Sequence, residues 1–249
     1  MQPAVKSAIR AFEVLEAFER QRKALSLKDI TDELGYPPSS GSALLKSLME
    51  IGYLDYDQER RVYFPTLRVS QLGQWVEDAM FGDNDLRAAM DWLQEQTGEG
   101  VILGAQSDIH VRYLHILYSD NPLAFRGKPG MRRPIAQTAL GLALLAGKDD
   151  EAIETLRRKI NAYTDANLDR ASLMERVGQV RVKGYSFSKH SFTEGLGVIG
   201  MTLPAPINGR TMAIGLAGYV ARLEREEERI VELLREAGTN LAAIRGDVN

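Results

Sequence analysis

Ser39, Ser40, Ser42, Lys46 and Ser47 crowd one short stretch of the chain. Small hydroxyls and a lysine near the start of a helix are the side chains that touch phosphate oxygens and base edges when a helix enters the major groove of DNA. Lys28, Arg60 and Arg61 add cations that a phosphate backbone attracts. Other chemistry is scarce. Zero cysteine excludes disulfides, thiolate metal sites and cysteine nucleophiles. His110, His115 and His190 are the only imidazoles. The first two are five residues apart on a strand-like segment, which predicts opposite faces and no shared metal. Ser107, Ser119 and Ser188 lack a GxSxG elbow, and neither GxxxxGK nor GxGxxG occurs. No catalytic residue, metal or cofactor is expected.

The elements that must hold these residues begin with Val5, Ile9, Phe12, Leu15 and Phe18, whose helical spacing predicts an amphipathic helix lying on a core. Ser26, three residues before Asp29, can cap a second helix that turns Leu27, Ile30 and Leu34 inward and stops at Gly35. Ser39 or Ser40 can cap a third, with Leu44, Leu45, Leu48 and Ile51 inward. YLDYD and RVYFP, separated by QER, read as a hairpin. Helix, helix, turn, helix, hairpin is the order of a winged helix-turn-helix. Leu67, Leu72, Trp75, Val76 and Met80 suggest a connecting helix that ends in a hinge at Gly82 to Asn84. The predicted domains are therefore 1–75, the winged helix with the start of the linker helix, and 76–249, the linker end and a second domain.

That second domain opens with a helix on Leu86, Met90 and Leu93, followed by the paired strands VILGAQ and HVRYLHILY. Ala139 to Ala146, Glu151 to Ile160 and Leu168 to Lys183 read as helices. IGMTLPAP and MAIGLAG then flank a turn at Asn208 and Gly209, and the final helix carries Ile230, Leu233, Leu234, Ala237, Leu241 and Ile244. Antiparallel strands with inserted helices predict an α+β domain. The acidic and basic run after Leu223 is expected to be a solvated helix start.

Charge leaves two readings of the first domain open. Residues 1–75 hold ten basic and ten acidic side chains, and the whole chain carries a net charge of -3. A solvated face on a protein-contact module fits that neutrality. DNA binding requires that Lys6, Arg10, Lys28, Lys46, Arg60 and Arg61 face one backbone, a geometry to which net charge is blind. No apolar run approaches the roughly 20 residues of a membrane helix, and the first residues mix charge into every turn, so a cytoplasmic protein without membrane contact is expected, on the nucleoid when bound to DNA.

Taken in order, these segments resemble the IclR family of bacterial transcriptional regulators. The resemblance rests on SLKDITDELGYPPSSGSALLKSLMEIGYLDYD, RVYFPTLRVSQLG, TGEGVILG, KPGMRRPIAQTALGLALLA, GYSF at Gly184 to Phe187, the later Gly195, Leu196 and Ile199, and AGYVARL. It implies a winged helix on double-stranded operator DNA, a GAF-like effector-binding domain, a homodimer or homotetramer, and control of catabolic genes through a small organic or aromatic acid. Where many members carry a basic residue before the recognition helix and a His-Arg pair inside it, this chain has Pro38, Ser42 and Ala43, which implies fewer cationic contacts. Gly41 inside that helix either permits close approach to DNA or loosens the element.

The resemblance also places an effector pocket at Gly130, Met131, Ala139, Leu140, Ser188, Val198, Gly215 and Ala217. Ser188, Lys189, His190 and Ser191 stand where acidic residues are common, and Gly215 and Ala217 where small polar ones are. His190, whose charge can change near neutral pH, is grouped with the effector site and not with catalysis. A pocket with this apolar share favours an aromatic or medium-sized acid over one of two or three carbons, with Ser188, Thr202 or backbone amides orienting its carboxylate. An enzyme built on the second domain is the rival reading.

Overall fold

The structure is a computed structural model that describes residues 5–81, 85–121 and 126–246, with side chains for all of these except 76–81 and 242–246. The chain divides into two compact units, Met1–Ala79 and Met80–Asn249. The hinge expected at Gly82 to Asn84 lies outside the described residues, as do the side chains of Val76, Met80 and Ile244.

The first unit contains α1 (Lys6–Gln21), α2 (Leu27–Leu34), α3 (Pro38–Glu50), β1 (Leu54–Asp57) and β2 (Val62–Pro65), and most of α4 (Leu67–Phe81). The Asp29 amide donates to the Ser26 hydroxyl, while the Ser26 amide donates to the Asp29 carboxylate at 2.9 Å. This reciprocal cap satisfies two donors that a helix start leaves open. Gly35 takes a left-handed φ of 66° and ends α2. The antiparallel β1–β2 pair forms the wing, and Leu25 bridges Tyr63 beside it. Val14, Phe18, Leu25, Ile30, Leu45, Leu48 and Leu54 make the core.

Three expectations fail here. Val5, Ile9 and Phe12 do not face the core; Phe12 is 67% exposed. The apolar residues of α1 form two stripes, and the one carrying Val14, Ala17 and Phe18 packs inward because a unit this small covers only one. Neither Ser39 nor Ser40 caps α3. Pro37 holds the cap position without a side-chain bond, and Pro38, whose missing amide costs nothing at a helix start, occupies the first turn. Ile51 closes the helix as its exposed C-cap instead of facing inward. Gly41 is buried because α2 packs against it: a β-carbon there would collide with the methyl group of Thr31. Helix packing, not an approach to DNA, accounts for the glycine.

The second unit runs α5 (Asp85–Thr97), β3 (Gly100–Ser107), β4 (His110–Leu117), β5 (Arg132–Pro134), a 3-10 turn, α6 (Ala139–Ala146), α7 (Asp150–Tyr163), α8 (Arg170–Lys183), β6 (Ser186–Lys189), β7 (Leu196–Thr202), β8 (Met212–Tyr219), α9 (Val220–Arg225) and α10 (Glu227–Gly246). One six-stranded sheet takes the order β5-β4-β3-β8-β7-β6, with every neighbouring pair antiparallel. Leu86, Met90 and Leu93 of α5 and Leu234 of α10 pack with one set of sheet residues. Leu140 of α6 and Leu173 and Val177 of α8 pack with the other. This is an α+β domain with helices on both faces of an antiparallel sheet. The short edge strands β5 and β6 had no periodic signal of their own.

Two further expectations change. His115 pairs with Leu103 and Tyr113 with Gly104, so Leu114 is an extra residue, a bulge. His110 pairs with Ser107, an even number of residues from Leu103 on β3, and the two imidazoles therefore share a face of the sheet. They still stand about 13 Å apart along it, beyond one metal's reach. The run after Leu223 is not simply solvated. Glu226 breaks it into two helices and meets Arg222, Arg225 and Arg229 at 3.3 to 3.6 Å, while Tyr185 donates to Glu227 at 2.6 Å. Among the described residues no helix is long and apolar enough to cross a membrane.

Candidate functional site

The outer side of α3 is built by what its inner side buries. With Gly41, Leu45 and Leu48 turned inward, Ser39, Ser42, Lys46 and Ser47 are left exposed and Ser40 half-buried. Lys46 lies 3.9 Å from Glu50, an approach so open to water that it leaves the ammonium available. The Ser47 hydroxyl donates to the Ala43 carbonyl at 3.1 Å. Lys28 is exposed on α2. At the wing tip the Arg60 amide donates to the Asp57 carboxylate at 3.0 Å, and Arg61 takes a left-handed φ of 54°; both side chains are exposed. Arg10 is engaged differently. It lies 4.8 Å over the ring of Tyr36, whose hydroxyl donates to Glu13. Burial, then that carboxylate, push the Tyr36 hydroxyl up to about 12.

In the second unit, a narrow cavity of about 40 Å³, open to solvent, lies between the start of α6, β6, β7 and the loop that joins these two strands. Leu140, Leu196 and Val198 supply apolar lining; Thr138, Ser188 and Ser191 supply hydroxyls. The helix end is fixed firmly. Thr138 accepts the Gly141 amide at 3.0 Å, and a β-carbon on Gly141 would overlap the Ile135 carbonyl, so α6 cannot drift from the turn before it. Its N-terminal end, with the positive pole of the helix dipole, is presented to the cavity. Tyr113 also lines it, its hydroxyl pushed up by burial.

Of the expected effector residues, Ala139, Leu140, Ser188 and Val198 line this cavity. Gly215 stands behind them: a β-carbon there would come within 2.8 Å of Leu140 and 3.1 Å of Val198. Ala217 pairs with Val198 and is wholly buried. Gly130 and Met131 continue the β4 edge, with the Gly130 amide donating to the Tyr113 carbonyl at 2.7 Å. Thr202 donates to the Ala143 carbonyl at 2.8 Å. His190 fastens the loop over the cavity: its amide donates to the Leu196 carbonyl, and its ring accepts the Gly195 amide at 3.0 Å.

Sequence reasoning missed Arg133 and Phe192, both in the lining. The available signal for Arg133 was a pair of arginines a few residues ahead of a wholly apolar helix. Phe192 sits in a loop without periodicity. As for a nucleophile, the buried Ser119 hydroxyl donates to the Gly98 carbonyl at 2.7 Å and is committed to the backbone.

Residues 7–58 match the IclR helix-turn-helix domain, and residues 84–243 match the family described as bacterial transcriptional regulator IclR C-terminal. The chain is 26% identical to the HTH-type transcriptional regulator XynR of Escherichia coli, with 98% of each chain covered. Its fold is similar to the crystal structure of Thermotoga maritima IclR, with a TM-score of 0.75 at 17% identity, covering 95% of this chain and 97% of the other. It is also similar to an IclR homologue from Microbacterium hydrocarbonoxydans in complex with 4-hydroxybenzoate, with a TM-score of 0.68 at 19% identity, covering 94% and 97%.

Proposed function

Because this chain belongs to the IclR family of bacterial transcriptional regulators, we propose that it binds operator DNA through α3 and the wing and changes that binding when an organic acid enters the α6 cavity. The carrying observation is the cavity itself: a largely apolar space lined by hydroxyls and by the positive end of a helix. The 4-hydroxybenzoate held by the Microbacterium homologue supports the same class of effector here, an aromatic or medium-sized acid. Ser39, Ser42, Lys46 and Ser47 are the groups on α3 to contact DNA, with Lys28, Ser40, Arg60 and Arg61 beside them. No chemistry is done on the ligand, and the protein acts in the cytoplasm on catabolic genes.

Operator recognition of this kind uses two recognition helices one duplex turn apart. The apolar side chains left open, Val5 just ahead of α1, Ile9 and Phe12 on it, and Leu67, Leu72 and Trp75 on α4, are surface that a second copy of the chain would cover. A symmetric homodimer, or a tetramer made of two, is the working form. Helix α4 carries the effector signal between the units, and a ligand shifts the balance only by binding the DNA-competent and incompetent forms with different affinity.

Fluorescence anisotropy of the full chain against duplexes tiling the DNA that flanks its own coding region tests the DNA half. Saturable binding that resists unrelated duplex and weakens steeply with salt is expected. Salt-insensitive binding, or none to any fragment, would favour the protein-contact module that the neutral charge of the first unit allows.

A further inference from the structure

We propose that Arg133 is the anion receptor of the α6 cavity, so that the ligand it admits is a carboxylate and not a neutral molecule of the same shape. The inference rests on the cavity being the effector site and names the residue that selects the effector.

Arg133 lies on the short edge strand β5, opposite Val111 of β4. Val111 is wholly buried in the core shared with α6, and cross-strand partners share a face, so the Arg133 side chain is carried toward the cavity that it lines. Its neighbour Arg132 points the other way, exposed, 3.0 Å from the His110 ring. A guanidinium is always charged, has five donors and accepts nothing. Yet the Arg133 Nε is buried and has no hydrogen-bond partner among the described residues.

Other arginines of this unit meet carboxylates. Arg222 meets the buried Glu99 at 3.1 Å, and Arg157 meets Glu154 at 2.8 Å. Among the described residues no carboxylate meets Arg133: the face of Phe192 lies 4.5 Å from its guanidinium carbon, and its charge acts on the Tyr113 hydroxyl. The Phe192 ring holds the plane of the group through a cation–π attraction but accepts none of its protons. A buried donor without an acceptor is costly, and a ligand oxygen arriving there removes the cost. The positive end of α6 favours an anion beside it, and the hydroxyls of Tyr113, Thr138 and Ser188 can donate to one. The planar fork of the guanidinium suits a planar carboxylate, while Leu140, Leu196 and Val198 give the cavity an apolar side for the rest of the ligand.

The test is calorimetry of the full chain with matched acids and amides: benzoate and benzamide, 4-hydroxybenzoate and 4-hydroxybenzamide, phenylacetate and phenylacetamide. Wild type is expected to bind at least one acid, and to bind its amide no better than a tenth as well. Arg133→Met should weaken that acid by about 10- to 100-fold with the amide unchanged, and Arg133→Lys should restore part of the loss. Equal binding of acid and amide, or undiminished acid binding by Arg133→Met, overturns the role of Arg133 and leaves the effector cavity standing. If no compound binds either protein up to roughly 10 mM, both readings fall. Thermal melting checks the fold of each variant; if Arg133→Met is unfolded, the wild-type contrast of acid with amide decides alone.

Discussion

Gly41 of α3 and Thr31 of α2 pack so closely that the threonine methyl group occupies the place a β-carbon at position 41 would need. Thr31 cannot easily turn away, because its hydroxyl donates to the Leu27 and Lys28 carbonyls at 3.0 and 3.1 Å. Helix propensity alone would make Gly41→Ala stabilising by about 1 kcal/mol. Overpacking costs about 1 to 3 kcal/mol, so the variant is expected to lose stability and to weaken operator binding by displacing α3. Urea unfolding reads the first effect; a midpoint equal to or above wild type would contradict the packing account.

Ser26→Ala removes one half of the reciprocal cap at α2. A loss of about 1 kcal/mol is expected, with Ser26→Asn recovering most of it. Amide exchange in α2 locates the effect: protection should fall there and stay unchanged in the second unit. A loss spread over both units would contradict a local cap.

Lys46, Arg60 and Arg61 are exposed and hold no buried partner. Changing each to Ala should lower operator affinity for all sequences alike and reduce the slope of log affinity against log salt by about 1 for every phosphate left without its cation. Ser42→Ala should instead change which operator bases are preferred and leave the slope alone. An unchanged slope in the triple variant would remove α3 and the wing from the DNA interface.

Glu154 accepts Arg157 at 2.8 and 2.9 Å and Arg158 at 2.8 Å, and Arg170 lies 3.6 Å away. The bonds from Arg157, then the one from Arg158, hold its carboxyl down at about 2, against the ordinary 4.5, with burial working the other way. The unfolded chain takes up this proton first as the pH falls. The contribution of Glu154 is therefore complete above about pH 4.5 and is lost as pH drops toward about 2. Between about pH 6.5 and about pH 3, the urea midpoint of wild type should fall further than that of Glu154→Gln. Equal falls would mean the cluster carries no pH-dependent stability.

What the sequence made legible was whatever rests on local rules. The Ser26–Asp29 cap, the stop at Gly35, the wing hairpin and the order of helices and strands follow from spacing and turn chemistry over a few residues. The failures came where tertiary packing chose between locally equal options. Val5, Ile9 and Phe12 are as apolar as Val14 and Phe18, and only the rest of the unit decides which stripe of α1 is covered. The bulge at Leu114 is set by pairing with β3, so counting residues from His110 to His115 gave the wrong face. At the cavity, Ala139, Leu140, Ser188 and Val198 came through family resemblance, whereas Arg133 and Phe192 meet across elements far apart in the chain and leave no spacing to read.

An effector-responsive regulator joins DNA binding in one unit to ligand binding in the other, and thermodynamic linkage tests that union directly. Operator affinity of the full chain would be measured with and without a saturating acid that binds the cavity, and the affinity of the acid with and without operator. The predicted result is a change of at least about fivefold in the first, matched by the same factor and sign in the second. An acid that binds the cavity with one affinity whether or not operator is present would contradict an effector-responsive regulator.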